Sequence, residues 1–185
     1  MDKKVIEKWM KLLSIVIMAA GVIAILIGVI DFGNTLKLFF SGERPAKLFK
    51  GINKNVGTIA EITGITAGVL WLLRKVWVEI KKRKLPFSDW IQQFYLVVKK
   101  HHIFIGVITL IAAFAHGLYF YLYAGKDDDW LVYSGIATFI SLIILALLGW
   151  NHQLNKRTKK NVSTKKRHIF LAIVFGILFL IHLNL

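Results

Sequence analysis

The sequence predicts an all-α integral membrane protein: a helical bundle of five transmembrane helices with interfacial amphipathic segments. Of its 185 residues, 56% are hydrophobic, yet the chain carries a formal net charge of +15. A soluble domain of this size does not need so large an apolar share, whereas long apolar spans joined by basic loops account for both values. No segment alternates polar and apolar residues as a membrane β-strand does, so we expect helices.

Five apolar segments are long enough to cross the hydrocarbon core, which takes roughly 20 residues of helix. The first comes after a basic N-terminus, as in a signal peptide, but it is long and no A-x-A cleavage pattern comes after it. We therefore expect a retained helix and a single transmembrane domain over residues 1–185. The predicted spans are residues 12–30, 57–73, 103–123, 130–150 and 168–185.

Two stretches outside the spans are expected to lie along the membrane surface. Residues 36–50 mix apolar and basic side chains, which is typical of interfacial segments. After the second span, Pro86 interrupts the chain, and Ser88 or Asp89 is expected to cap a new helix. We expect that helix to run along the inner membrane surface as far as Val98 and then to turn into the third span.

The charge of the loops predicts the orientation of the helices. Residues 74–100 carry eight Lys or Arg and residues 151–167 carry seven, whereas the connection 124–129 is short and acidic. Because basic loops stay in the cytoplasm, we expect a multi-pass protein of a bacterial cytoplasmic membrane, with the N-terminus inside and the C-terminus outside. The loop 31–56 would then lie outside although it also holds basic residues, which weakens the argument without reversing it.

The composition excludes several kinds of site. The chain has no cysteine, which excludes disulfides, thiolate metal sites, iron–sulfur clusters and covalently attached haem. Lysine is far commoner than arginine, so the charge does not favour nucleic-acid recognition. We expect membrane lipid, and no nucleic acid, around this chain.

Four histidines are notable because the same spacing separates them twice. His102 and His116 are 14 residues apart in the third span, and His168 and His182 are 14 residues apart in the fifth. In a left-handed bundle, with about 3.5 residues per turn, this spacing makes four whole turns, so both histidines of a helix face the interior. At about 1.5 Å per residue, they stand about 21 Å apart along the helix axis.

These spacings predict two pairs of histidines at matching depths, because the third and fifth spans run in the same direction. Each iron of a bis-histidine haem takes one imidazole nitrogen on either axial side. A zinc or iron transport site would rather mix in carboxylates and gather its ligands at one depth. We therefore expect two b-type haems, with the inner iron bound by His102 and His168 and the outer iron by His116 and His182.

Other polar residues have two interpretations each. His101 is 15 residues from His116, which overshoots four turns, so we expect it at the interface, either bonded to a haem propionate or solvated. His152 is interpreted as a loop residue. Glu61 could relay a proton or touch a quinol, or it could be solvated. The acidic connection could gather external cations or form a plain solvated turn; its residues are Asp127, Asp128 and Asp129.

Two stretches contain the paired histidines: KKHHIFIGVITLIAAFAHGLYF at 99–120 and KKRHIFLAIVFGILFLIHL at 165–183. They resemble the two haem-bearing helices of the ferric reductase-like transmembrane superfamily. That superfamily includes the NADPH oxidases, the ferric reductases and the haem subunit that serves periplasmic methionine sulfoxide reductase. The resemblance covers the third to fifth spans and loosely the second, and it implies the same four haem ligands.

The expected function is that of a di-haem b-type membrane cytochrome. Electrons would pass from a cytoplasmic flavoprotein or quinol to an external acceptor such as ferric iron. The chain ends three residues after His182, with no sixth span and no flavin or nicotinamide domain. We therefore expect it to be at most the transmembrane component of a ferric reductase-like oxidoreductase, with FAD or FMN supplied only by a partner. The alternatives are a haem-free transporter or channel subunit, and a membrane anchor for a partner.

Overall fold

The computed structural model of the chain describes residues 3–123, 129–154 and 161–184. It confirms the all-α prediction, since the chain is 93% helical and the described residues contain no strand. Five of its helical segments are long and apolar enough to cross a membrane, so the chain is a multi-pass membrane protein. The helices are α1 (Lys3–Ser41), α2 (Lys47–Gly68), α3 (Leu70–Lys82), α4 (Ser88–Tyr123), α5 (Asp129–Leu154) and α6 (Asn161–Leu183).

The first connection is shorter than predicted because the helices extend beyond the apolar spans. α1 continues to Ser41, and α2 already begins at Lys47. Residues 36–50 therefore do not form a separate surface segment, as the sequence suggested, but divide between two helix ends and a short turn. Gly42 has a φ of 70° in that turn, a conformation that glycine adopts without steric cost and that is common just past a helix end.

α2 and α3 form one span, although Val69 separates them. The backbone of Val69 is itself helical, with φ −69° and ψ −12°. Its N–H donates to the Ile65 carbonyl at 2.9 Å, and its own carbonyl accepts from the Leu73 N–H at 2.9 Å. Helical hydrogen bonding thus passes through the junction, and Lys47–Lys82 is a single candidate span.

α3 ends in a turn whose hydrogen bonds satisfy its last carbonyls. Lys84 has a φ of 52°, and its N–H donates to the Lys81 carbonyl at 3.2 Å. The Leu85 N–H donates to the Ile80 carbonyl at 3.2 Å, which completes the pattern of a Schellman motif. Pro86 comes next and cannot continue a helix without losing a hydrogen bond.

α4 begins at Ser88, where the sequence predicted a new helix, and Asp89 lies in its first turn. A carboxylate there interacts favourably with the helix dipole. The helix then continues through Val98 to Tyr123 without interruption. The predicted turn between a surface helix and the third span is therefore wrong, since one 36-residue helix accounts for both.

The described residues form two compact units, and the first comprises Met1–Ile30 and Asn55–Ala112. Within it, Ile6 and Met10 of α1 pack against Val97 of α4. The Thr109 hydroxyl of α4 donates to the Thr63 hydroxyl of α2 at 3.0 Å. The first part of α4 thus contacts both α1 and α2.

The second unit comprises Asp31–Lys54 and Ala113–Leu185. Its α5 and α6 pack side by side. The ring of Phe114 on α4 lies 5.4 Å from that of Phe32 on α1 and 5.7 Å from that of Phe139 on α5. These contacts hold the end of α4, which carries His116, within the same unit as α6, which carries His182.

Candidate functional site

The four predicted ligands are all half-buried helix residues, but they fall in different units. His102 lies on α4 in the first unit. His116 on α4 and both His168 and His182 on α6 lie in the second. His116 and His182 thus belong to the same unit, and the pairing of His102 with His168 stays a prediction.

His116 and His182 lie close enough to interact electrostatically. The Nδ1 of His116 is 2.9 Å from the backbone carbonyl oxygen of Asn53 on α2. A carbonyl oxygen only accepts hydrogen bonds, so His116 donates through Nδ1. A neutral imidazole carries one proton, and the Nε2 lone pair of His116 is therefore available to a ligand.

Ser134 fixes the tautomer of His182 in a similar way. The Ser134 hydroxyl lies 2.8 Å from the Leu131 carbonyl oxygen, to which it donates. The same hydroxyl lies 2.9 Å from Nδ1 of His182. Because its single proton is engaged by Leu131, the hydroxyl accepts from the Nδ1–H of His182. His182 thus also has an available Nε2 lone pair.

Two glycines of α5 give the α6 histidines room. A Cβ placed on Gly135 would lie 3.2 Å from Cε1 of His182. A Cβ placed on Gly149 would lie 3.1 Å from Cε1 of His168. Both distances are tighter than ordinary van der Waals contact, so a side chain at either position would displace an imidazole. The absence of a side chain on each glycine lets its histidine approach α5 closely.

Near each of the two glycines, a backbone carbonyl of α5 also interacts with the histidine. His182 interacts with the carbonyl of Leu131, and His168 interacts with the carbonyl of Leu145. Each carbonyl comes four residues, or about one turn, before the matching glycine. The α5–α6 pair therefore repeats the glycine and the carbonyl 14 residues apart, but not the hydroxyl, since Leu148 stands 14 residues after Ser134.

The imidazoles of His116 and His182 are of the chemical type that could supply two histidine ligands to a haem iron. Ligating histidines usually donate their other ring N–H to a carbonyl or similar acceptor, which fixes the ring and makes it a better ligand. Among residues 3–123, 129–154 and 161–184, no three His, Cys, Asp or Glu side chains gather around one point. The described residues therefore do not form a site of the zinc type, with three or four protein ligands.

Two other histidines differ from the predictions. His101 is only 6% exposed, and its Nε2 lies 2.6 Å from the Ser14 hydroxyl, so the solvated alternative is wrong. His152 is not in a loop: it lies in the last turn of α5 and is close enough to His168 to interact with it electrostatically. Helix α5 simply extends four residues past the predicted span.

Two of the predicted acidic candidates lie among the described residues. Glu61 is half-buried on α2 in the first unit, and Asp129 lies in the first turn of α5. Asp127 and Asp128 lie outside the described residues.

Sequence reasoning missed the residues that support the histidines. The spacing of Gly135 and Gly149 equals that of His168 and His182, and this signal could have identified both glycines. Ser134 had no comparable signal, since serine is common at helix positions that only bond their own backbone. Asn53 acts through its backbone carbonyl, which every residue has, so the sequence alone could not identify it.

Comparison with known proteins assigns the chain to no family. No protein-family model, no curated protein and no solved structure matches it. The resemblance of residues 99–120 and 165–183 to the ferric reductase-like superfamily therefore stays a prediction, and the function has to be argued from the histidine site.

Proposed function

We propose that this chain is a di-haem b-type cytochrome that transfers electrons across the cytoplasmic membrane. One observation carries the proposal: His116 and His182 lie together, both donate through Nδ1, and both keep Nε2 available. Two such imidazoles are what the axial positions of a haem iron require.

The protein's part would be to hold and orient the ligands. The Asn53 carbonyl holds the ring of His116, and the Ser134 hydroxyl holds that of His182. Bound haem would supply the one-electron redox chemistry, and the protein would supply its ligands, its burial and its separation from other centres. His116 and His182 are half-buried on apolar helices, which suits a site of low dielectric constant.

A second haem is proposed between His102 and His168. The 14-residue spacing on α4 and on α6 supports it. The repeated α5 arrangement supports it too, since Gly149 accommodates His168 as Gly135 accommodates His182. With about 21 Å between the two levels of each helix, the two sites would form a path along the membrane normal.

The electron donor is proposed to be a cytoplasmic flavoprotein or a membrane quinol, and the acceptor an external species such as ferric iron. The orientation behind this direction rests on the charges of the loops, with the basic connections 74–100 and 151–167 in the cytoplasm. Any FAD or FMN would belong to the partner.

The test is a visible spectrum of the full chain purified from haem-replete cells. We expect a reduced-minus-oxidised difference spectrum of the b type and two extractable haems per chain. A colourless protein would overturn the proposal and would favour a haem-free transporter subunit or membrane anchor.

A further inference from the structure

Asp31 is an acid buried within the apolar helix α1. Its side chain is 1% exposed, and neither carboxyl oxygen has a hydrogen-bond partner among the described residues. An ionised carboxylate that is buried without a partner is strongly disfavoured, whereas the neutral acid is not. A buried acid of this kind points to a function, because its burial costs stability and no described hydrogen bond offsets that cost.

Thr35 lies one turn after Asp31, on the same face of α1. Its side chain is 0% exposed, and its hydroxyl has no hydrogen-bond partner among the described residues. Other helical threonines behave differently. Thr63, for instance, donates to the carbonyl of Ile59, four residues earlier. The hydroxyl of Thr35 makes no such bond, so it is a second buried polar group without a hydrogen-bond partner among the described residues.

Tyr119 of α4 faces Asp31 from the other side. It is 3% exposed and close enough to Asp31 to interact electrostatically. Neither carboxyl oxygen of Asp31 accepts a hydrogen bond from a described Lys, Arg or His. Two hydroxyls that both donate and accept are suitable neighbours for a neutral carboxylic acid, which does the same.

The cluster continues toward the histidine site through α2. The ring of Tyr119 packs edge-on against Phe49 at 5.5 Å. One turn after Phe49 comes Asn53, which is 0% exposed and whose Oδ1 has no partner among the described residues. The backbone carbonyl of Asn53 accepts from His116. Asp31 thus belongs to the same polar region of the second unit as His116, without contacting it directly in any described bond.

We propose that Asp31, with Tyr119 as a neighbour and Thr35 one turn away on the same helix, is a buried proton-binding site. The carboxyl holds its proton as a neutral acid and exchanges it with water. The ligand is a proton and not a metal cation, because one carboxylate with two hydroxyls provides little negative charge to replace the hydration shell of a cation. This inference goes beyond the proposed function and does not depend on it, since the carboxyl is present whether or not haem binds.

The test is infrared spectroscopy of the full chain in lipid vesicles at pH 5.5. The wild type should show the carbonyl stretch of a protonated carboxyl, and the band should shift in D₂O. Asp31→Asn should remove it, and Asp31→Glu should keep it at a changed frequency. Glu43→Gln, which alters an exposed acid, should leave the band unchanged. Far-ultraviolet circular dichroism would verify that each variant is helical.

Three results would overturn the proposal. The wild type could lack a protonated carboxyl band, or Asp31→Asn could retain it. The band could also fail to shift in D₂O, which would mean that the carboxyl does not exchange its proton with water. If the band is absent and sodium or calcium chloride stabilises the wild type but not Asp31→Asn, then Asp31 binds a cation. None of these measurements involves haem, so they do not bear on whether the chain is a cytochrome.

Discussion

The imidazole of His182 lies against Gly135, with its Cε1 atom 3.2 Å from where a Cβ on that glycine would be. Fourteen residues along α5, Gly149 has the same relation to His168, at 3.1 Å. Along α5 the earlier glycine contacts the later histidine of α6, so the two helices are antiparallel. Each of the two glycines of α5 thus leaves space for one histidine of α6. A side chain at either glycine should therefore disturb the haem site at its own level and leave the other site intact.

Replacing Gly135 with alanine should weaken the outer haem site. The added methyl would displace His182 by a few tenths of an ångström and tilt its Nε2 away from the iron. We expect fewer than two haems per chain and an altered low-spin signal in electron paramagnetic resonance. The matched control is Gly176→Ala on α6, where a Cβ meets nothing within 4 Å. That change should preserve both haems, and alanine should favour the helix by about 1 kcal/mol. Unaltered haem content and spectrum in Gly135→Ala would show that haem binding does not require a glycine beside His182.

Replacing Ser134 with alanine should lower the affinity of the outer site for haem about tenfold, at the weak end of effects from a lost partner of a ligating histidine. The change removes the hydroxyl that accepts from Nδ1 of His182, while the Leu131 carbonyl stays as a second acceptor. Titration of the purified apoprotein with haem measures this affinity. Ser41→Ala removes an exposed hydroxyl bonded to its own helix and should have no effect. Equal affinities for Ser134→Ala and the wild type would show that the hydroxyl is not needed to hold His182.

Single histidine variants should separate the two haems. His182→Ala should empty the proposed outer site alone, and His168→Ala the proposed inner site alone, because each proposed haem would take one ligand from α4 and one from α6. His101→Ala should keep both, since its Nε2 is engaged by Ser14. Haem stoichiometry and reduction from each side of oriented vesicles measure the outcome. If His101→Ala loses a haem and His102→Ala does not, the inner ligand is misassigned; if His182→Ala still binds two, the four-histidine model fails.

Replacing Thr109 with valine should destabilise the first unit. The variant loses the hydroxyl that donates to Thr63 at 3.0 Å, a contact between α4 and α2. Hydrogen bonds between membrane helices contribute about 0.6 to 2 kcal/mol, so we expect the free energy of unfolding to fall by about 1 kcal/mol. Thr66→Val is the control, because that exposed hydroxyl bonds only to Ile62 of its own helix. Unfolding in mixed detergent measures both, and equal losses would mean that the interhelical bond contributes nothing.

The orientation of the chain can be tested with reporter insertions. An insertion at Lys126, between α4 and α5, should report an external location, and one at Lys160, between α5 and α6, a cytoplasmic location. The expectation rests on the basic residues of 74–100 and 151–167. The reverse result would invert both the topology and the proposed direction of electron flow.

Hydropathy predicted the number and centres of the spans but not the ends of the helices. Apolar length determines where a chain crosses hydrocarbon, whereas backbone hydrogen bonding continues wherever the residues tolerate a helix. Lysine and leucine favour helix strongly, so α1 continues past the predicted span to Ser41. For the same reason the sequence did not indicate Asp31, which lies just past the predicted span. In the structure Asp31 is a buried residue of helix α1.

The histidine site was predictable only along each helix. A spacing of 14 residues identifies the side chains that share a face, and from it we predicted that His116 and His182 lie at one depth. It carries no information on which distant backbone atom meets an imidazole. The Asn53 carbonyl is 63 residues from His116 in the chain, and only the packing of α2 against α4 brings the two together.

The contacts between the two glycines of α5 and the two histidines of α6 restrict where residues can be inserted into or deleted from this chain. Inserting or deleting one residue between Gly135 and Gly149, or between His168 and His182, rotates the remainder of that helix by about 100° and misaligns one histidine with its glycine. A compensating change in the other helix would be needed at the same level. We therefore expect natural variants of this chain to keep both 14-residue intervals and to place their insertions and deletions elsewhere. The two 14-residue spacings, one between glycines and one between histidines, can be used as a search pattern for related chains whose other residues have diverged.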